Sequence, residues 1–416
     1  MAKSHHGGPG PSSRRNFLQL GAALGVGAAL GGLERTALAA DAPDVVKLPF
    51  ANGTRPMATF PQKRPLILQT ARPPQLETPF KVFNEGIFTP NDAFFVRYHW
   101  SGVPTSIDPE KYRVAIKGHV DTPLSLSLAD LKQLGETTLA AAHQCSGNSR
   151  GFFEPRVNGG ESGNGAMGNA RWTGVPLKKV LEKAGVKAGA VQVSFNGLDM
   201  PPMPDGPDFV KALDMDHIME GEVMLAWAMN GEDLPMLNGY PLRLVVPGYY
   251  GTYWVKHLSD IEVLDKVLDN FWMSTAYRIP DDACACVTPG GKMGKSKPIG
   301  RFAIRSFITS VEDGDQLHVG KSSTLRGIAF DGGYGITAVE VSADDGKTWM
   351  PAKLGEDHGK YSFREWTLPF KPAKRGPLAL KVRAFNRIGQ TQPADALWNP
   401  SGYMRNAVET THVTAA

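Results

Sequence analysis

The last third of the chain alternates short apolar runs with turn residues, and this pattern restricts the possible folds more than any other feature of the sequence. The alternating runs cover residues 301–308, 322–329, 336–342 and 378–385. Turn-forming residues such as Asp344-Asp345-Gly346-Lys347 separate them. A period of two places successive side chains on opposite faces of a sheet. Several such strands at short spacing predict an antiparallel, immunoglobulin-like β-sandwich over residues 288–416.

The preceding region, residues 81–287, is expected to mix short strands with short helices. The 46 glycines and 32 prolines of the 416-residue chain favour many turns over long helices. Apolar runs at 94–98 and 112–116 predict strands, whereas 127–134 and 176–185 predict helices. Residues 288–299 are expected to form a flexible connector. The predicted fold class is therefore α+β, a mixed α/β domain followed by the sandwich.

Two further segments precede this region. Residues 41–80 contain Pro56, Pro61, Pro65, Pro73, Pro74 and Pro79, and they predict an extended arm with little regular structure. Residues 1–40 combine Arg14-Arg15, an apolar run and the small residues Ala37-Leu38-Ala39, an order that resembles the twin-arginine export signal. Because the apolar run is short and glycine-rich, we expect no membrane span after cleavage. The export signal itself predicts a mature protein in the bacterial periplasm.

The charge of the chain argues against a nucleic-acid partner. The formal net charge is +4, but residues 1–40 carry four basic side chains against the single acidic Glu34, which leaves the rest nearly neutral. Nucleic-acid binding needs a clustered basic face. The hydrophobic share of 42% and the charged share of 21% are those of a globular protein rather than a disordered one.

Three cysteines are candidates for metal or redox chemistry. Cys145 lies in a loop of small polar residues, where a nearby cation or metal would stabilise its thiolate. A small buried core residue is the alternative for this position. Cys284 and Cys286 are separated by one residue, a spacing at which a disulfide is strained, and no further zinc ligand is evident, so a structural role is favoured. No CxxCH motif occurs, and we expect no haem in this chain.

Three arginines, Arg97, Arg150 and Arg243, stand in apolar or glycine-rich surroundings. A guanidinium group stays charged and presents a planar fork that suits oxyanions. Several such groups converging would form a pocket for a small tetrahedral or pyramidal anion, or for the phosphate of a cofactor. An ordinary surface ion pair is the alternative for any one of them.

Six motifs together resemble the sulfite oxidase family of molybdopterin enzymes, from about residue 80 to the C-terminus. They lie at 97–99 (RYH), 144–150 (QCSGNSR), 165–172 (GAMGNARW), 245–256 (VVPGYYG, then VK), 271–280 (FWMSTAYRIP) and 341–349 (VSADDGKTW). The fifth is similar to the version in bacterial periplasmic sulfite dehydrogenases, and the sixth to the family's dimerisation domain. The resemblance implies a molybdopterin-binding catalytic domain at 81–287, a dimerisation-type sandwich at 288–416 and a molybdenum-molybdopterin cofactor.

The resemblance also implies roles for single residues. Cys145 would be the thiolate ligand of molybdenum, a soft donor that suits this metal. The substrate oxyanion would lie among Arg97, His99, Arg150 and Tyr277. Arg243 and Lys256 would contact the phosphate of the cofactor and Asp199 its pterin. The remaining cofactor contacts would come from Phe95, Arg97, His99, Asn238 and Trp254.

Several positions depart from the vertebrate pattern of the family. Asn238 replaces a histidine at the cofactor, and no tryptophan occurs between Glu161 and Ala170. Ser401 replaces a substrate-binding arginine, and Arg405 is the candidate to take over its role. The cytochrome b5 domain of the family is not found in this sequence, which implies an external electron acceptor, a c-type cytochrome.

The predicted function is therefore periplasmic oxidation of sulfite to sulfate. One alternative is another molybdopterin oxidoreductase of the same family, either a sulfane sulfur dehydrogenase or an oxo-anion or sulfoxide reductase. A cofactor-free periplasmic binding or assembly subunit is the other. Arg97, His99 and Tyr277 favour sulfite over the other family reactions, and the intact Cys145 argues against the cofactor-free subunit. The resemblance implies either a homodimer or a heterodimer with a cytochrome subunit, and the sequence does not choose between them.

Overall fold

The computed structural model describes residues 44–416, so the predicted export signal at 1–40 lies outside the described residues. Strands dominate this part of the chain, and its three α-helices are Leu128–Gln133, Leu177–Ala184 and Met215–Met219. Short 3-10 helices lie at Phe80–Asn84, Arg150–Phe152, Met236–Asn238 and Gly251–Tyr253, and a π-helical turn lies at Phe271–Thr275. None of the helices over 44–416 is long and apolar enough to span a membrane.

Five short strands form an antiparallel sheet at the start of the described chain. In order across the sheet they are Val45–Lys47, Thr54–Ala58, Leu66–Thr70, Gln75–Glu77 and Val96–Arg97. The prediction of an arm with little regular structure over 41–80 was therefore wrong. Pro61, Pro65, Pro73 and Pro74 fall in the connections between strands, where they interrupt no hydrogen-bond ladder.

Two further sheets form the body of the region up to residue 287. One has the order Lys211–Asp214, Gln192–Gly197, Leu258–Leu264, Val114–Gly118 and Leu124–Leu126, and its third and fourth strands are parallel. The other has the order Glu232–Asp233, Met224–Met229, Met167–Pro176 and Thr137–Gln144, with Arg243–Val245 also paired to its second strand. Met224–Met229 and Arg243–Val245 are buried at almost every position, whereas Leu258–Leu264 mixes buried and half-buried residues.

Both helices expected from the sequence are confirmed, and local rules fix their ends. The hydroxyl of Ser127 accepts from the backbone N–H of Asp130, whose carboxylate accepts in turn from the Ser127 N–H, which forms a capping box. The helix Leu177–Ala184 buries one apolar face and ends at Gly185. That glycine has φ 71°, in the left-handed region that side chains other than glycine disfavour.

The C-terminal part is a β-sandwich, so the predicted fold class is confirmed. One sheet consists of Arg305–Ile308, Ser323–Phe330, Arg364–Phe370 and Lys353–Leu354. The other consists of Gln316–Leu317, Glu409–Ala415, Gly376–Asn386, Ile336–Ser342 and Met350–Pro351. Side chains from both sheets, including Leu325, Val341, Trp366 and Leu380, fill the space between them. The strands Arg364–Phe370 and Glu409–Ala415 were not predicted, because a proline and a run of threonines obscure their apolar pattern.

The segment between the two domains is more ordered than expected. Ser296–Pro298 pairs with Arg278–Pro280, so the prediction of a flexible connector over 288–299 was wrong for its second half. Phe307 and Phe363 of the sandwich belong to the same apolar cluster as Phe83 of the first domain. This shared core holds the sandwich in a fixed position against the first domain.

Candidate active site

Cys145 lies where the chain leaves a buried sheet, directly after the strand Thr137–Gln144. Its backbone N–H donates to the carbonyl oxygen of Ala166 at 2.9 Å, and its own carbonyl accepts from the N–H of Asn148 at 3.1 Å. Ser149 adopts φ 69° to complete the turn. The thiol is not joined to another cysteine and is partly exposed. The end of the strand therefore presents a free thiol.

Two adjoining cavities meet at this thiol. One of them, the inner pocket, is the more enclosed, and the other, the outer cleft, opens more widely to solvent. Arg150 lines the outer cleft, which also contains Cys145. The structure brings ten of the predicted site residues into the lining of the inner pocket: Phe95, Arg97, His99, Cys145, Asp199, Asn238, Arg243, Trp254, Lys256 and Tyr277.

The inner pocket holds more positive than negative charge. Arg243 is fully buried, donates to the carbonyl oxygen of Asn238 at 2.7 Å, and has its pKa lowered to about 9 by burial. Burial also lowers the pKa of Lys256 to about 7, although the carboxylate of Asp199 opposes this shift. Asp199 is the only carboxylate among the described residues that line the pocket. An anionic ligand would offset the unfavourable burial of these cations.

Several buried polar atoms of the inner pocket have no hydrogen-bond partner among the described residues. They are Nδ1 of His143, Oγ of Ser146, Nε of Arg243 and Oγ1 of Thr252. Buried polar groups in proteins are normally paired. Four unpaired atoms around one pocket therefore indicate a ligand with polar groups of its own.

These features fit a metal that brings most of its ligands with it. Across residues 44–416 no three His, Cys, Asp or Glu side chains converge on a possible metal site. Cys145 can therefore supply one thiolate, and the other ligands must come from a cofactor. A molybdenum ion bound by the dithiolene sulfurs of a pterin cofactor would satisfy this need. The negative charge of the cofactor's phosphate group would suit Arg243 and Lys256.

One wall of the inner pocket contains residues that sequence reasoning missed. The ring of His143 stacks on Trp254 with 4.4 Å between centroids and 14° between planes. Burial holds the pKa of His143 well below its usual range, so the ring is neutral. Gly251 makes room for it, because an added Cβ would lie 2.6 Å from Nε2 of His143. His143 and Ser146 stand close to the thiol in sequence, and position alone could have identified them.

In the outer cleft, the hydroxyl of Tyr277 and Nε2 of His99 share a hydrogen bond of 2.7 Å. Burial and then the charge of Arg97 hold the pKa of His99 well below its usual range. Burial raises the pKa of Tyr277, so both partners are neutral near pH 7. The backbone of Tyr277 has φ 57°, which is unfavourable for a bulky residue and typical of constrained functional sites.

Arg150 is held by close packing against three glycines. A Cβ added to Gly147, Gly159 or Gly402 would lie 2.6 to 2.9 Å from the nearest atom of the Arg150 side chain. Its guanidinium carbon lies 5.2 Å from the centroid of the Tyr403 ring. Its Nε has no partner among the described residues. Arg150 is thus fixed in position while retaining hydrogen-bonding capacity for an anion.

The structure contradicts the prediction that Arg405 takes over from the missing arginine. Nη1 of Arg405 donates to Oε1 of Glu409 at 2.8 Å, and Arg405 lines neither cavity. The same oxygen accepts from the fully buried Arg305 at 2.6 Å. Ser401 does line the outer cleft, but its hydroxyl donates to the carbonyl oxygen of Arg278 at 3.1 Å. The C-terminal segment therefore adds no cation to the cleft.

Cys284 and Cys286 are joined in a disulfide, with 5.1 Å between their Cα atoms. Neither residue lines the inner pocket or the outer cleft. The backbone N–H groups of both cysteines donate to Oδ1 of Asp282 at 3.1 and 3.2 Å. Their structural role stays a prediction.

The chain matches two family models in succession. The oxidoreductase molybdopterin binding domain matches residues 100–272, and the Mo-co oxidoreductase dimerisation domain matches residues 296–415. The first match contains Cys145 together with Asp199, Arg243 and Lys256. Fold and site thus define the class of the protein, a molybdopterin-dependent oxidoreductase.

Similar proteins identify the family within this class. Mitochondrial sulfite oxidase of Mus musculus is 33% identical over 381 residues, which cover 88% of this chain and 68% of that protein. Sulfite oxidase of Arabidopsis thaliana is 30% identical over 331 residues, 76% of this chain and 83% of that protein. The crystal structure of the sulfane dehydrogenase SoxCD from Paracoccus pantotrophus matches with a TM-score of 0.70 and 27% identity over 82% of this chain and 85% of that chain. The chain belongs to the sulfite oxidase family, and its cofactor is molybdenum-molybdopterin.

Proposed function

We propose that the protein oxidises sulfite to sulfate and passes the electrons to an external acceptor. The observation that carries this proposal is the outer cleft, where Arg97, Arg150 and Tyr277 gather beside the Cys145 thiol. Two guanidinium groups and a neutral hydroxyl suit a small dianion. The similarity to sulfite oxidases over most of the chain supports the same substrate.

The cofactor, when bound at Cys145, supplies the redox and oxygen-transfer chemistry of the reaction. Arg243 and Lys256 would hold its phosphate through charge, and His143 stacked on Trp254 would form a wall of its pocket.

The side chains of the outer cleft bind and orient the substrate. Arg97 and Arg150 attract the anion, and the Tyr277 hydroxyl donates to one of its oxygens. In the tautomer with its proton on Nε2, the neutral His99 donates to the oxygen of Tyr277 and leaves the hydroxyl proton free for the anion.

The first experiment combines metal analysis with a dye assay. Purified protein should contain about one molybdenum per chain, held by its single thiolate, and should reduce ferricyanide or cytochrome c when given sulfite. Cys145→Ser should abolish this activity. A double variant with serine at Cys284 and Cys286, which lie outside both cavities, should keep it. Metal-replete protein that is inert to sulfite would reject the substrate assignment.

A sulfane sulfur dehydrogenase is the second candidate function. The similarity to SoxCD favours it, and so do the apolar walls of the outer cleft at Trp100, Phe271 and Trp272. A panel of sulfite, glutathione persulfide, nitrate and methionine sulfoxide discriminates among the family reactions. A higher kcat/KM for the persulfide than for sulfite would replace the first proposal with the second.

We also propose a periplasmic location, a c-type cytochrome as acceptor, and assembly either as a homodimer or with a cytochrome subunit. The paired arginines Arg14 and Arg15 and the dimerisation domain support this. Changing both arginines to lysine should leave the protein in the cytoplasmic fraction of a bacterial host. Light scattering and co-purification decide between the two assemblies. Export that does not depend on the arginines would reject the twin-arginine route.

A further inference from the structure

Tyr403 lies beside two residues that we assign to substrate binding, although no sequence motif pointed to it. Its ring is parallel to that of Tyr277, with 5.4 Å between centroids and 5° between planes. The guanidinium carbon of Arg150 lies 5.2 Å from the centroid of the same ring. Tyr403 also lines the outer cleft that contains Cys145. One side chain of the sandwich domain thus contacts both groups that are expected to hold the anion.

The turn that carries Tyr403 is fixed to the catalytic domain. Asn399 closes the turn: its Nδ2 donates to the carbonyl oxygen of Tyr403 at 2.8 Å, and its Oδ1 accepts from the Tyr403 N–H at 3.2 Å. The N–H of Met404 donates to the carbonyl oxygen of Ser146 at 3.3 Å. Ser146 directly follows the thiol in sequence, so these bonds hold Tyr403 at a defined position relative to Cys145.

Tyr403 brings a neutral donor to a cleft that receives no cation from the C-terminal segment. Arg405 is bound to Glu409, and the Ser401 hydroxyl is used by a backbone carbonyl. Burial raises the pKa of the Tyr403 hydroxyl, although the nearby charge of Arg150 opposes this shift. The hydroxyl therefore stays protonated at neutral pH. A protonated hydroxyl can donate to an anion without adding charge.

We propose that Tyr403 is a specificity-determining residue that sets how strongly the outer cleft binds sulfur oxyanions. Its hydroxyl donates to an oxygen of the bound anion, and its ring holds Tyr277 and Arg150 in place. The choice of sulfite as substrate rests on the proposed function, but the binding role applies to any small sulfur oxyanion in this cleft. A neutral donor adds affinity for the anion. A third guanidinium group in its place would bind dianionic sulfate more strongly, so the hydroxyl favours release of the product.

Two variants separate the hydroxyl from the ring. Tyr403→Phe keeps the stacking and loses the donor, and we expect KM for sulfite to rise about tenfold, as for the loss of a hydrogen bond to a charged group, with kcat nearly unchanged. Tyr403→Leu removes the ring as well and should also lower kcat, because Tyr277 and Arg150 lose their support. Tyr334→Phe, at an exposed tyrosine of the sandwich, is the matched control and should change neither constant.

A binding measurement tests the inference without turnover. Sulfate is titrated into the molybdenum-containing protein at constant ionic strength, balanced with chloride, and tryptophan fluorescence reports the binding beside Trp272. Tyr403→Phe should weaken sulfate binding about tenfold, whereas Tyr334→Phe should not.

The outcomes distinguish this inference from the proposed function. Unchanged sulfate affinity and unchanged KM in Tyr403→Phe would overturn the role of Tyr403, even if the wild-type protein oxidises sulfite. Wild-type protein that is inert to sulfite but binds sulfate in a way that depends on the Tyr403 hydroxyl would reject the proposed substrate and support the role of Tyr403.

Discussion

Replacing Lys211 with methionine should stabilise the protein at pH 6, although this lysine is buried beside the active site. The side chain is 0% exposed. Its Nζ donates to the carbonyl oxygen of Trp272 at 2.5 Å and lies 4.9 and 5.2 Å from the ring centroids of Tyr253 and Tyr277. Among the described residues no carboxylate balances its charge. Only one of its three N–H donors therefore has an oxygen acceptor.

The size of the effect follows from the ionisation of this side chain. Burial, with a contribution from Arg278, lowers the pKa of Lys211 from 10.5 to about 7. At about 1.4 kcal/mol per pKa unit, this shift corresponds to a penalty of roughly 5 kcal/mol on the charged form. Methionine fills a similar volume but cannot donate to the carbonyl oxygen of Trp272, and leaving that buried acceptor unpaired costs about 3 kcal/mol. The free energy of unfolding should therefore rise by about 2 kcal/mol at pH 6.

The pH dependence identifies the cause. Because the folded-state pKa of Lys211 lies below its unfolded value, its contribution to stability is complete above pH 10.5 and is lost as the pH falls to about 7. Between these values this group makes the free energy of unfolding of the wild type rise by about 1.4 kcal/mol per pH unit. The methionine variant lacks that rise, so its advantage should disappear above about pH 8.

Urea unfolding of cofactor-free protein, from a host that cannot make molybdopterin, measures this difference from pH 6 to pH 9. Lys63→Met is the control. Burial lowers the pKa of Lys63 to about 7 as well, but its Nζ donates to Asn238 Oδ1 and to the carbonyl oxygens of Asn91 and Phe94. Its removal leaves three acceptors unpaired and should destabilise the protein. A Lys211→Met variant no more stable than the wild type at pH 6 would refute the reasoning.

Three further predictions test the site and its surroundings. Cys145→Ser should lose its bound molybdenum, measured by mass spectrometry, and a full metal content would argue against the thiolate ligand. Gly147→Ala places a methyl group 2.6 Å from the guanidinium carbon of Arg150 and should raise KM for sulfite several-fold; Gly300→Ala, whose nearest neighbour is 3.8 Å away, should leave KM unchanged. Glu409→Gln leaves a buried guanidinium without a full counter-charge and should lower the free energy of unfolding by about 3 kcal/mol in urea, and an unchanged midpoint would contradict this.

The sandwich could be predicted from sequence where a strand alternates clearly. The strand Ile336–Ser342 was found with its observed bounds. Of the N-terminal sheet only Val96–Arg97 falls within a predicted strand, and the other four strands could not be found in this way, because they are three to five residues long and prolines stand between them. Strands of that length carry too few residues for a periodic signal, and their pairing depends on contacts with each other rather than on local pattern.

Most of the inner pocket was predicted because its residues belong to short motifs that resemble a known family. The positions of Arg405 and Tyr403 could not be predicted in the same way. Arg405 is paired with Glu409, and that carboxylate is also bound by Arg305 from a distant segment of the chain. Tyr403 reaches the cleft only because its turn bonds to the loop after Cys145. Both outcomes depend on contacts between distant segments, which no local pattern records.

Two kinds of buried cationic side chain lie at or near the site. They differ in whether a bound cofactor can offset the cost of burying their charge. The unpaired groups of the inner pocket, such as Nε of Arg243, belong to residues that line a cavity where an anionic cofactor can bind. Lys211 lines neither cavity, so cofactor binding cannot restore the stability lost there. Its charge does, however, help to hold the pKa of His99 low. A neutral His99 with its proton on Nε2 can donate to the Tyr277 oxygen, which connects the unfavourable lysine to the orientation of a substrate-binding hydroxyl.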